Sequence, residues 1–168
     1  VTPSALLDAA SLDDARASLT RCCGATHWVN GMLAKRPFGS DTALFDAAEV
    51  VWATMTPSDI LDALTHHPRI GADLDELRKR YGATAQWAAG EQAGAAAADE
   101  STLHALRDGN LRYEARFGHI FVVCATGKSA AEMLALLEVR LPNEAAAELQ
   151  VAAAEQAKIT RIRLEKLR

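Results

Sequence analysis

The sequence predicts an all-α fold, a single-domain multi-helix bundle spanning residues 1–168. Three observations carry this reading. Alanine is abundant and runs of β-branched residues are short, and both favour helix. Helix-start signals recur along the chain, each placed before an apolar-periodic stretch. The chain has 168 residues and is 49% hydrophobic, which is the size of one ordinary domain with enough apolar surface to bury a core.

The elements follow in order. Ser11 and Asp14 have the spacing of a capping box, with Asp where Glu or Gln is usual. Ser40 precedes an apolar-periodic stretch through Met55. Thr56-Pro57 sets a capping hydroxyl before a first-turn proline, opening a helix to about His66. Asp73 to Tyr81 reads as a helix ended by Gly82. Further helices are expected over 84–98 and 101–117, the first weakened by Gly90 and Gly94. Ser129 and Glu132 repeat the capping-box spacing and open a helix to Leu141. Pro142-Asn143 then separates it from a long last helix ending near Lys166, whose apolar stripe is marked by Ile159, Ile162 and Leu167. One short extended segment is expected near 120–125: Phe121-Val122-Val123-Cys124-Ala125 is a continuous apolar run between Gly118 and Gly127. A lone extended run has no sheet partner, so its backbone groups need another source of hydrogen bonds. A ligand is one source, and neighbouring loops are another.

Composition excludes several classes of function. Eighteen Lys plus Arg against 22 Asp plus Glu give a net charge of -4, without the basic excess of a general nucleic-acid binder. Such a balance leaves a small anionic substrate open, because one arginine holds a carboxylate whatever the total charge. The three cysteines, Cys22, Cys23 and Cys124, are odd in number with two adjacent, which fits a reducing compartment better than a disulfide framework. No signal-peptide pattern and no membrane-spanning apolar stretch is visible.

Chemistry is most readily placed at His66-His67-Pro68. Pro68 forbids helix continuation, so His67 sits where a helix stops and where a side chain can be aimed into a cleft. Its imidazole suits proton transfer near neutrality. On these residues alone the plain reading, a helix-ending histidine that neutralises the last carbonyls, is favoured. In a helical 87–92, Trp87 shares a face with Glu91, and Ala88 shares one with Gln92. Glu91 is then a candidate to orient an imidazole and Gln92 to donate to a carbonyl, against the plain reading of a solvated surface pair. Lys158, Arg161, Arg163 and Lys166 suit a cationic helix end, and Arg163 lies near the border of the stripe, where a bidentate grip on a carboxylate is available.

Two patterns fail. Gly127-Lys128-Ser129 resembles the end of a phosphate-binding loop, but Val122 stands where the first glycine is required. The five histidines lack metal-binding spacing, and nothing ties a cysteine to a base.

Four motifs then occur in order: His67-Pro68-x-Ile70-Gly71, Glu91-Gln92-Ala93-Gly94, Asn110-x-x-Tyr113-x-x-x-Phe117-Gly118-x-x-Phe121, and Lys158-Ile159-x-x-x-Arg163-Leu164, with Arg36-Pro37-Phe38 before them. This series resembles the 2-oxo-4-hydroxy-4-carboxy-5-ureidoimidazoline (OHCU) decarboxylase family over nearly the whole chain. The resemblance implies conversion of OHCU to (S)-allantoin and carbon dioxide in urate breakdown, with no metal or organic cofactor. By position, His67 matches the catalytic histidine and Glu91 the carboxylate beside it. Pro68 and Gln92 match substrate-contacting residues. Phe121, Val122, Val123, Cys124 and Ala125 match a segment whose backbone lines the ligand, and Arg163 matches an arginine that meets the substrate. Ala88 departs from the pattern, since some members have Ser there, so one ligand contact is in doubt or is made through water.

The partner implied is a small-molecule substrate, with no nucleic acid and no membrane, and a homodimer is compatible with the resemblance. Some relatives end in a peroxisomal tripeptide resembling Ser-Lys-Leu, whereas this sequence ends Lys166-Leu167-Arg168, which favours a cytoplasmic setting. Two other readings compete: a non-catalytic helical interaction module, which predicts dispersed His67, Glu91 and Arg163, and a nucleotide-phosphate binder acting through Lys128.

Overall fold

A computed structural model describes residues 1–82 and 99–168. The helix expected over 84–98 lies outside the described residues. Among the described residues the fold is all-α: α1 (Pro3–Ala9), α2 (Leu12–Cys22), α3 (Thr26–Ala34), α4 (Asp41–Trp52), α5 (Pro57–Thr65), α6 (Leu74–Tyr81), α7 (Glu100–Phe117), α8 (Ala130–Arg140) and α9 (Ala145–Glu165), with a 3-10 turn at Ile70–Ala72. None of these helices is long and apolar enough to cross a membrane.

The helix starts follow the capping chemistry. Ser11, Ser40 and Ser129 each accept the backbone N–H three residues on. Thr56 does the same and completes a reciprocal box, its own N–H donating to Asp59 Oδ2 at 3.0 Å. Such caps are each worth about 1 kcal/mol. At Ser129 the Glu132 carboxylate turns to the serine hydroxyl instead. Thr2 caps α1 ahead of Pro3, the same Thr-Pro device as at Thr56. Helix α3 has no side-chain cap at Ala25; Asp62 of α5 accepts the Thr26 N–H at 2.9 Å.

The chain forms two compact units. The first comprises residues 1–67, 122–124 and 149–168. Its core gathers Leu7, Leu19, Trp28, Met32, Leu44 and Leu164. Both indoles of this unit are satisfied, buried Trp28 Nε1 donating to the Ala48 carbonyl and half-buried Trp52 Nε1 to that of Ala153.

The second unit comprises residues 68–121 and 125–148. Leu77, Leu103, Leu106, Tyr113 and Leu137 form its core. Tyr113 packs on Phe117 at 4.6 Å between ring centroids and meets Phe121 edge-on at 5.3 Å. A Cβ at Gly71 would stand 2.5 Å from the buried Asn110 side chain, so any larger residue there would have to displace that amide. Within this unit, therefore, the Gly71, Asn110, Tyr113, Phe117 and Phe121 positions of the sequence motifs are explained by packing.

One expectation is corrected. The fully buried row of α9 is not the Ile159, Ile162, Leu167 stripe, whose members are half-buried. It runs through Ala152, Gln156, Thr160 and Leu164, at four-residue spacing. Residues 121–125 interrupt the helices as a short irregular segment, with Val122 and Cys124 buried.

Candidate active site

Helix α5 stops because Pro68 cannot continue it, and His67 is left at its end, its N–H on the Leu64 carbonyl at 3.3 Å. The half-buried imidazole faces a cavity of about 460 Å³ in the first unit. Thr20 and Arg21 of α2 form one wall, with Gly24 just beyond. Ala63, His66 and His67 form a second, and Gln156 and Arg163 of α9 a third. This volume suits a small molecule.

Cationic groups dominate the rim. Arg163 Nη1 stands 3.5 Å from the carbonyl oxygens of Arg21 and Cys22, at the C-terminal end of α2. Unpaired helix carbonyls carry partial negative charge and hold the guanidinium loosely there. No other partner for Arg163 occurs among the described residues, which leaves most of its N–H fork for an anion. His66 is placed 3.5 Å from Asp62, on the exposed side of α5.

Burial lowers the pKa of His67 below the usual histidine value. A hydrogen bond to Gln156 opposes that shift, and the positive charge of Arg163 adds to it. The ring is therefore neutral at neutral pH. Burial pushes the neighbouring Cys22 thiol up to about 11 and raises that of Cys23. Neither cysteine is a thiolate near neutrality, and neither is fit to be a nucleophile.

The structure thus brings His67 and Arg163 to one cavity. Val122, Val123 and Cys124 belong to the same unit but do not line it. The Cys124 N–H is engaged, donating to Glu155 Oε1 at 3.1 Å, and Glu155 also binds Lys158. Phe121 lies in the second unit with the Arg140 guanidinium over its ring at 4.5 Å, and the Ala125 carbonyl closes a turn onto Lys128. Pro68 is exposed. Ala88, Glu91 and Gln92 lie outside the described residues.

A sequence model of the OHCU decarboxylase family matches residues 8–165. The chain belongs to that family. It is 34% identical over 148 residues to the uric acid degradation bifunctional protein TTL of Arabidopsis thaliana, covering 87% of this chain and 45% of that protein. It is 39% identical over 102 residues to the 2-oxo-4-hydroxy-4-carboxy-5-ureidoimidazoline decarboxylase of Amia calva, covering 59% of this chain and 55% of that one. The chain therefore spans about half the length of these curated relatives. Among solved structures, an OHCU decarboxylase crystallised in the presence of (S)-allantoin superposes with a TM-score of 0.70 at 30% identity, covering 88% of this chain and 94% of that one. An (S)-allantoin synthase shares the fold, with a TM-score of 0.69 at 18% identity over 98% of this chain and 53% of that one.

In this OHCU decarboxylase family member, sequence reasoning missed Gln156. The residue is 1% exposed, and its Oε1 is hydrogen-bonded to His67 Nε2 across 89 positions of sequence. Its only local signal was a polar residue four positions from Thr160, and in a helix judged by its isoleucines that reads as surface. Arg21 was missed too, since nothing in the sequence aims it at the cavity that His67 and Arg163 share.

Proposed function

We propose that this chain decarboxylates OHCU to (S)-allantoin in urate degradation, as one decarboxylase domain needing neither metal nor organic cofactor. The single observation that supports it most is the meeting of His67 and Arg163 at one cavity, in a chain of this family.

The reaction breaks the bond between a ring carbon and its carboxylate. Carbon dioxide leaves, and the electron pair flows into the neighbouring carbon–nitrogen unsaturation, whose nitrogen takes a proton. The resulting enol gives up its hydroxyl proton as the ureido-bearing carbon gains one from a single face, which sets the S configuration. Arg163 holds the substrate carboxylate and Arg21 adds to the positive field. His67 handles one of the two proton movements at the enol. Glu91 is the carboxylate that works with it, and Pro68, Gln92, Ala88 and the backbone of 121–125 complete the substrate contacts. Donors aimed at the developing charge lower the barrier. A homodimer and a cytoplasmic setting belong to the same reading.

The test uses freshly generated OHCU. Its ultraviolet absorbance should fall faster than the spontaneous decay while the circular dichroism of (S)-allantoin grows in. A rate no higher than the spontaneous one, or a racemic product, overturns the proposal.

A further inference from the structure

We propose that Gln156 is a positioning residue which, backed by Thr160, locks His67 as the Nε2–H tautomer and leaves Nδ1 as the ring atom that receives a proton. The kinetic part of this inference rests on the decarboxylase reading, and the structural part does not.

Gln156 lies in the buried row of α9, where an amide group without a partner is costly. Both ends are met. Its Nε2 donates to Thr160 Oγ1 at 3.0 Å, and its Oε1 faces His67 Nε2. The amide nitrogen donates to the Thr160 hydroxyl oxygen, and Thr160 in turn lies against the neutral Cys23 thiol, which carries a hydrogen of its own. The amide oxygen is then turned to His67. A carbonyl oxygen has no proton to give, so the ring nitrogen facing it carries one.

A neutral imidazole has a single N–H. Burial disfavours a second proton, and the guanidinium of Arg163 on α9 acts the same way; Arg21 of α2 and His66 of the same helix share the cavity. Nδ1 therefore keeps its lone pair. A ring in this state begins as a base: it accepts the hydroxyl proton of the substrate at Nδ1, and the imidazolium so formed gives that proton up only afterwards. Of the two proton movements at the enol, His67 thus serves the first. An apolar side chain at position 156 would let both tautomers coexist and dilute the productive one.

The experiment reads the imidazole nitrogens of the full chain, labelled with 15N, by two-bond proton–nitrogen correlation above the His67 titration. The wild type should show a protonated, pyrrole-type Nε2 and an unprotonated Nδ1. Gln156→Met keeps length and helix propensity but removes the acceptor; it should show mixed tautomers, and kcat for OHCU should fall about tenfold with KM changed less than about twofold, the size expected for one lost hydrogen bond. Gln156→Glu retains an acceptor and should retain the Nε2–H signature. A wild-type ring protonated at Nδ1 overturns the proposal, and so does a Gln156→Met variant with unchanged tautomer and kcat. Should Gln156→Met fail to fold, the wild-type and Gln156→Glu spectra decide alone. Absence of any OHCU turnover in the wild type refutes the decarboxylase reading, while the nitrogen signature still decides the role of Gln156.

Discussion

Arg140 and Glu148 form a buried ion pair at 2.5 Å in the second unit, with the carboxylate wholly screened from solvent. Tyr113 donates its hydroxyl to the same carboxylate, and Asn143 Nδ2 donates to its other oxygen at 3.0 Å. Every acceptor of a buried charge is thereby engaged, the condition under which such a charge is tolerated. Removing the cation alone strands the carboxylate. Arg140→Met should destabilise by about 3–5 kcal/mol, read from urea unfolding, while the double variant Arg140→Met with Glu148→Leu should recover most of the loss.

Arg163 offers a fork and lysine offers a point charge. Arg163→Lys should raise KM for OHCU about 10- to 100-fold, the range of a lost charge-assisted hydrogen bond. Because Arg163 is exposed, its melting temperature should stay close to wild type. A KM unchanged by the substitution would remove Arg163 from the substrate site.

His67→Asn should lower kcat about 10²- to 10⁴-fold, the range for a lost acid–base group, in steady-state turnover of OHCU. Near-native kcat would deny the imidazole its role.

The pKa of His67 also governs stability. It is lower in the folded protein than the ordinary 6.5, so the folded chain binds this proton more weakly than the unfolded chain. Its contribution is fully present above pH 6.5 and is lost as pH falls through 6.5 and past the lowered native value. Urea midpoints should therefore drop between about pH 8 and about pH 5, and His67→Asn should show a smaller drop than wild type. Equal drops would refute the assignment.

A Cβ built at Gly24 would lie 2.3 to 2.8 Å from the His66 side chain. The Cβ and Cγ of His66 are among the atoms met and cannot swing clear, so Gly24→Ala should push the end of α5 away from the end of α2. It should raise KM for OHCU by altering the cavity and lower the melting temperature. An unaltered KM would show that this wall does not touch the substrate.

Most helices were legible because their starts are written locally. Ser11, Ser40, Thr56, Asp73 and Ser129 all cap the helices their spacing announces. Helix α3 was not, because its cap comes from Asp62 in another helix, a partnership no local window contains. The buried face of α9 was misjudged for a similar reason. Gln156 and Thr160 are polar, and only the imidazole and thiol they meet make burial tolerable. His67 and Arg163 were legible as candidates through the motif series, whereas Gln156 and Arg21 needed three dimensions.

The first unit takes its residues from three separate stretches of the chain, the last beginning at Leu149. During synthesis the imidazole of His67 leaves the ribosome well before Gln156, which lies 89 positions later. A nascent chain paused anywhere in that interval has no binding cavity, and its early helices lack the segment that covers their apolar faces. Competence to take up a ligand is thus acquired only once α9 has emerged, in a single late event that a ribosome-stalled series of lengths would resolve.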